Sequence, residues 1–123
     1  MSVLEKLRSL VHKHHANFVA QVGAVDRLLN EQNAEGCVAH ENVAKAQEIT
    51  HQMKGTAGSM GFPELGNMAA DLDIELKRLR RIDGPVAPAE MRDALALLAA
   101  LRSAATQTTP EMSKLYDTDL SQM

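Results

Sequence analysis

The segment HQMKGTAGSMG, His51–Gly61, lies near the end of a predicted long helix and contains three glycines. A glycine inside a helix costs about 1 kcal/mol relative to alanine. Gly55 and Gly58 fall within the helical pattern, whereas Gly61 stands where a helix would stop. Stability alone therefore does not account for the two inner glycines.

The helix that contains this segment is predicted to run from about Val38 to Met60 and to have one apolar side. When each residue advances by about 100° and Met53 marks the centre of that side, the inward set lies within about 80° of it. That set comprises Val43, Ala46, Ile49, Thr50, Thr56, Ala57 and Met60. The opposite side carries Ala44, Gln47, His51, Gly55 and Gly58, with Lys54 at the border.

Three further amphipathic helices are predicted around this one. The first begins at the capping box Ser2-x-x-Glu5, ends in the polar stretch 30–36, and carries Leu4, Leu7, Val11, His15, Phe18, Val22, Val25 and Leu29. The third has Pro63 in its first turn and carries Leu65, Met68, Leu72, Leu76 and Leu79. The fourth begins near Pro88 and carries Met91, Ala94, Leu95, Leu98, Leu101 and Ala105. Short connections make successive helices antiparallel, so the predicted fold is an all-α, up-and-down four-helix bundle.

The bundle is predicted to occupy residues 1–106, followed by a polar tail at residues 107–123. Thr109-Pro110-Glu111 predicts one short helical turn in the tail, which is otherwise expected to be peripheral. The chain has 123 residues, of which 45% are hydrophobic and only 2% aromatic. This composition suits a single domain with an aliphatic core of packed helices.

The charge and composition also exclude several classes of function. A net charge of −3 gives no basic field for nucleic acid. No apolar run approaches the roughly 18 residues that span a membrane, and the N-terminus lacks a signal peptide's apolar core. Cys37 is the only cysteine, so no intrachain disulfide can form. We expect a cytoplasmic monomer.

The outward side of the second helix carries residues suited to phosphoryl chemistry. A solvent-facing imidazole at His51 is a fair nucleophile near neutral pH. Lys54, one turn on, can neutralise a dianionic group attached to that imidazole. Gly55 and Gly58 remove side chains beside His51, so another protein's surface could approach it. Gln47, at i−4, either hydrogen-bonds the imidazole or its phosphoryl group, or is an ordinary surface residue.

This pattern resembles the histidine-containing phosphotransfer (HPt) domain over about residues 2–105. The motif is His-x-x-Lys-Gly with further glycines at i+7 and i+10, here His51, Lys54, Gly55, Gly58 and Gly61. The resemblance implies that His51 is phosphorylated and exchanges the phosphoryl group with aspartates of response-regulator receiver domains, with a hybrid histidine kinase as a further partner. The receiver supplies Mg²⁺, so no cofactor, no metal site and no autonomous kinase activity are expected. The phosphate-stabilising residues would be Lys54 and Gln47, and the partner access surface Gly55, Gly58 and Ala44.

Three alternatives remain beside this interpretation. A metal-binding bundle would use Glu48-x-x-His51, but only one such motif occurs and its histidine faces outward. The dimerisation domain of a histidine kinase normally shows an acidic residue directly after the histidine, where this chain has Gln52. A helical docking module without phosphotransfer would lack acid-labile phosphorylation at a single histidine.

The remaining histidines and the basic end of the third helix have simpler interpretations. His12, His14 and His40 are expected to be surface or structural residues, and His15 a core histidine with its hydrogen bonds satisfied. His12 and His15 lack a third metal ligand in view. The basic helix end is interpreted as a solvated face that matches the helix dipole, with steering of an acidic receiver domain as the alternative; it comprises Lys77, Arg78, Arg80 and Arg81.

Overall fold

The computed structural model describes residues 2–116, which form four α-helices and one short 3₁₀ helix. The helices are α1 (Val3–Asn30), α2 (His40–Ser59), α3 (Pro63–Arg80) and α4 (Pro88–Gln107), with the 3₁₀ helix at Pro110–Met112. No strand occurs within these described residues, so the predicted all-α bundle is confirmed. Among residues 2–116, no helix has the length and apolar character needed to cross a bilayer.

Helix α2 begins two residues later than the predicted start at Val38. The reason is a pair of backbone hydrogen bonds between two interhelical loops: Val38 N–H donates to the Val86 carbonyl at 2.9 Å, and Val86 N–H donates to the Val38 carbonyl at 2.8 Å. Both valines are fully buried. The α1–α2 and α3–α4 loops are thereby tied together at one end of the bundle.

Each helix packs against its neighbours in the chain, and α1 also packs against α4. The pairing of α1 with α4 is antiparallel: His15 Nε2 lies 2.7 Å from the Thr108 carbonyl, while Asp26, further along α1, pairs with Arg102, earlier on α4, at 3.5 Å. His15 is half-buried rather than part of the core, and this contact satisfies one of its two ring nitrogens. Short connections and these contacts agree with an up-and-down order.

The core is aliphatic and lies where the four predicted apolar stripes meet. Leu4 and Leu7 are only partly buried, because α1 has 28 residues against 20 in α2 and α4 and its first turns have less to pack against. The fully buried large side chains of the four helices are Val11, Val25, Leu29, Val43, Met53, Leu72, Leu76, Leu79, Met91 and Leu101.

The chain after α4 is packed against the bundle rather than peripheral as far as Tyr116. The buried Ser113 hydroxyl donates to the Met60 carbonyl at 2.6 Å, and Lys114 N–H donates to the Gly61 carbonyl at 2.9 Å. Arg8 Nε donates to the Tyr116 carbonyl at 2.9 Å. Each of these bonds is accepted by a backbone carbonyl, so no apolar stripe in the sequence predicts them. The predicted tail beyond Tyr116 lies outside the described residues.

Candidate functional site

His51 lies in the middle of α2, and 55% of its side chain is exposed. The exposed position predicted from the helical wheel is confirmed. Among the described residues, the ring has one polar contact: Nδ1 lies 3.3 Å from Asp73 Oδ2 on α3. This contact leaves the other ring nitrogen, Nε2, without a bond to Asp73.

Asp73 is the centre of a charged cluster between α2 and α3. Its side chain is fully buried, and its Oδ1 accepts a hydrogen bond from Gln47 Nε2 at 2.8 Å. Its Oδ2 pairs with Lys54 Nζ at 2.9 Å and with Lys77 Nζ at 3.3 Å. Burial alone would raise the pKa of this carboxyl, but the hydrogen bonds from Gln47, the two lysines and His51 outweigh burial and hold the pKa well below its usual range. Asp73 is therefore a carboxylate at neutral pH.

This carboxylate selects the tautomer of the neutral His51 ring. An ionised carboxyl can only accept a hydrogen bond, so the facing Nδ1 carries the proton. Nε2 then keeps its lone pair and is the nucleophilic nitrogen. A carboxylate behind a histidine ring also stabilises positive charge that develops on that ring.

The helical wheel predicted that Gln47 lies on the exposed side of α2, and this is wrong. Gln47 is buried, with 7% of its surface exposed. Because α3 covers that flank of α2, the Gln47 amide is held between two α3 side chains. Its Nε2 donates to Asp73, and its Oε1 accepts from Arg80 Nη1 at 2.8 Å. The interpretation as a solvated surface residue is therefore wrong, and Gln47 bonds Asp73 and Arg80 rather than the imidazole, whereas a hydrogen bond from Gln47 to a phosphoryl group on His51 stays a prediction.

The surface beside His51 is bare. A Cβ built on Gly55 or on Gly58 would meet nothing within 4 Å, so no packing contact requires either glycine. Ala44, two turns before His51, is half-buried. Gly66 on α3 is different, since a Cβ there would lie 3.2 Å from the Lys54 carbonyl oxygen and 3.3 Å from the Gly58 nitrogen. Helices α2 and α3 therefore approach closely directly behind the bare surface.

Three residues of this site were missed from the sequence: Asp73, Gly66 and, as a member of the cluster, Lys77. A signal for Asp73 existed, because it follows Leu72 and precedes Leu76 on the inward side of α3. An acidic residue at such a position is rarely buried without a partner. The partners come from α2, which a wheel drawn for α3 alone does not show.

The contacts of Glu48 give the metal-binding alternative no support. Its exposed carboxylate pairs with Arg80 Nη2 at 3.6 Å, while His51 pairs with Asp73. Within residues 2–116, no group of three or more His, Cys, Asp or Glu side chains is arranged to hold a metal ion.

Comparison with known families agrees with the geometry. The family model described as "Hpt domain" matches residues 2–104, which is most of the chain. Searches of curated proteins and of solved structures found no significant match. Hpt domains are helical phosphocarriers that take part in histidine phosphotransfer in phosphorelays, where they interact with receiver domains and histidine kinases. With a matching model over that length and an exposed histidine on the second helix of the bundle, the chain belongs to the Hpt domain family.

Proposed function

We propose that His51 is the phosphoacceptor and that this protein carries a phosphoryl group between aspartates of receiver domains. One observation carries the proposal: an exposed imidazole has its Nδ1 against a buried carboxylate, which leaves Nε2 free toward solvent. The bare surface at Gly55 and Gly58 supports it, because a Cβ at either glycine would contact none of residues 2–116.

The transfer step follows from this arrangement. The Nε2 lone pair attacks the phosphorus of a receiver's aspartyl phosphate, an N–P bond forms, and the P–O bond to the aspartate breaks. The bonding electrons leave with the receiver carboxylate, and no proton has to move. The His51 ring, which keeps its Nδ1 proton, gains a positive charge that Asp73 stabilises at 3.3 Å. The reverse step returns the phosphoryl group to a second aspartate.

Lys54 is proposed to stabilise the phosphoryl group, as its position one turn after His51 suggests. About a third of its side chain is exposed (34%), and its Nζ is held 2.9 Å from Asp73. Gln47 is proposed as the other phosphate-stabilising residue, since it lines the surface beside the ring and also donates to Asp73. The receiver domain is proposed to supply Mg²⁺, so the carrier needs no cofactor of its own.

The proposed partners are the receiver domains of response regulators and a hybrid histidine kinase, which would meet the surface formed by Ala44, Gly55 and Gly58. The protein itself is proposed to be a cytoplasmic carrier without autonomous kinase activity. A single cysteine, Cys37, with no second cysteine in the sequence to pair with, is consistent with that compartment.

The test is to label the protein with phosphoramidate and, separately, with a phosphorylated receiver domain and Mg²⁺. We expect the wild type to take one acid-labile phosphoryl group and His51→Gln to take none while remaining folded, because exposed substitutions usually change stability by less than about 0.5 kcal/mol. His12→Gln is the matched control, since that side chain is similarly exposed at 49%, and it should label normally. Labelling of His51→Gln would assign another acceptor, and an unlabelled wild type would favour the docking module.

A further inference from the structure

A shallow recess of about 360 Å³ lies beside the His51 ring. It is lined by Gln47, Glu48, His51, Gln52 and Lys77. The cation in this lining comes from α3, whereas Lys54 lies one turn further along α2. A group attached to Nε2 and turned into this recess would therefore meet a different lysine from the one that the sequence motif indicates.

We propose that Lys77 is a second phosphoryl-binding residue, which contacts the group on His51 from the opposite helix. The inference deepens the proposed role of His51 and rests on it. Lys77 Nζ and His51 Nδ1 both lie 3.3 Å from the same oxygen, Asp73 Oδ2. The ammonium is thus two hydrogen-bond lengths from the ring, which is within the reach of a lysine side chain.

The crowding at Asp73 indicates which lysine is free to move. Three nitrogens surround Oδ2, which exceeds the roughly two lone-pair directions of one carboxylate oxygen. Lys54 makes the shorter contact, 2.9 Å, and has 34% of its side chain exposed. Lys77 makes the longer contact, 3.3 Å, and has 48% exposed. Lys77 can therefore leave Asp73 and turn to a phosphoryl group in the recess, while Lys54 keeps its contact with Asp73 and meets the group from the α2 side.

The charges around the recess make this movement favourable. A phosphoryl group brings a charge of about −1.5 to −2 near neutral pH. The recess also contains the Glu48 carboxylate, which would repel that group, but Arg80 lies 3.6 Å from Glu48 and offsets its charge. With Asp73 held by Lys54 and Gln47, the cation left to meet the phosphoryl group inside the recess is Lys77.

The experiment is a ³¹P NMR titration of protein labelled with phosphoramidate, which needs no partner. A nearby ammonium favours the dianionic phosphoryl group, so Lys77→Ala should raise the pKa of its second ionisation by about half a unit or more. Lys77→Arg should keep the wild-type pKa. Arg81→Ala is the matched control: it removes an exposed charge from the same end of α3 without touching the recess, and should change nothing.

Two results would overturn the inference in distinguishable ways. In the first, the phosphoryl group of Lys77→Ala has the wild-type pKa, while Lys54→Ala raises that pKa. Lys54 alone would then bind the phosphoryl group, and the role of His51 would stand. If the wild type takes no phosphoryl group at all, the proposed role of His51 fails and that of Lys77 fails with it.

Discussion

The two sides of α2 around His51 differ sharply in how they are packed. The outward side presents an exposed ring and two glycines whose missing Cβ atoms would meet nothing within 4 Å. The side toward α3 packs against a fully buried aspartate of that helix, Asp73, which has four polar partners. At Gly66 of α3 the two helices approach so closely that a Cβ would lie 3.2 Å from a backbone oxygen of α2. One short segment therefore combines a tightly packed interior face with an empty exterior one.

The sequence does not distinguish glycines that allow close packing from glycines that leave a surface open, but the structure does. Gly61 is required by the fold, because atoms of the segment after α4 occupy the space where a Cβ would be, and Gly66 allows a close helix contact, because a Cβ there would lie 3.2 Å from a backbone oxygen of α2. Gly55 and Gly58 lower helix stability by about 1 kcal/mol each without relieving any contact. The comparison can be tested by substitutions, ordered here by their expected effect on the free energy of unfolding.

The largest effect is expected for Gly61→Ala, at about 3 kcal/mol of lost stability. Gly61 has φ of 85°, and its Cβ would overlap Ser113 Oγ and lie 2.8 Å from the Lys114 nitrogen. Alanine must therefore adopt a left-handed conformation and also displace the segment that caps α2. Urea denaturation monitored by circular dichroism measures the loss.

Gly84→Ala is the matched control for this first prediction. Gly84 has φ of 77°, but a Cβ there would meet nothing within 4 Å. Gly84→Ala should therefore lose only the stability that the left-handed conformation of alanine costs, about 1 kcal/mol. Equal losses in the two variants would mean that the segment after α4 yields easily and does not hold the end of α2.

Asp73→Asn is expected to lose about 2 kcal/mol at neutral pH, because a buried hydrogen-bonded charge is removed while its donors remain. The pKa of Asp73 is lowered in the folded protein, so its contribution is complete above the unfolded value of about 3.9 and is lost as the pH falls below it toward the folded value. Denaturation at several pH values should show a constant difference between wild type and variant from pH 5 to 8.

Below about pH 4 that difference should shrink, because Asp73 takes up a proton in the unfolded wild type while the folded wild type still keeps it charged, which favours the unfolded state. A difference that stays constant down to pH 2, or that grows, would show that Asp73 is not stabilised as an anion by its partners. His40→Gln offers a check on acid effects elsewhere, because His40 bonds the Arg80 carbonyl at the far end of the α2–α3 pair.

The contrast between the outcomes for His51 and Asp73 shows how much the sequence could predict. Apolar stripes follow from periodicity within one helix, and so does the exposure of His51, whereas the start of α2 was predicted two residues early because loop contacts at Val38 set it. Asp73 and the burial of Gln47 depend on how α3 lies across the flank of α2, which no single-helix wheel contains. The packing of Ser113 depends on a hydrogen bond from its hydroxyl to the backbone carbonyl of Met60 at the end of α2, and a backbone acceptor leaves no pattern in the sequence.

Gly66→Ala is expected to lose about 1 kcal/mol of stability, because overpacking against a helix backbone exceeds the gain in helix propensity. The neighbouring atoms belong to the backbone at Lys54 and Gly58, which α2 holds in place through its core residues. Gly55→Ala is the matched control on the other side and should gain up to about 1 kcal/mol. Thermal denaturation of the pair should therefore give shifts of opposite sign; shifts of the same sign would remove the distinction between the two sides.

The smallest change in stability is expected for Gly58→Leu, which should gain on the order of 0.8 kcal/mol through helix propensity, since the leucine projects into open space. The effect on transfer should be much larger. Leucine would stand two turns from His51, on the surface that a receiver must cover, and would hold apart atoms that need to approach to about 3–3.5 Å. Transfer from a phosphorylated receiver should fall on the order of 100-fold.

Labelling of Gly58→Leu by phosphoramidate distinguishes a blocked receiver-docking surface from a disturbed phosphorylation site. A small donor needs no docking surface, so Gly58→Leu should label His51 at the wild-type rate. If both donors slow equally, the leucine has disturbed Lys54 or the ring rather than blocked a partner. If transfer from the receiver is unchanged, the empty outward side of α2 is not the docking surface, and the two glycines need another explanation. A higher melting temperature, together with a loss of transfer from the receiver but not from phosphoramidate, would show that the small residue at position 58 serves the approach of the receiver.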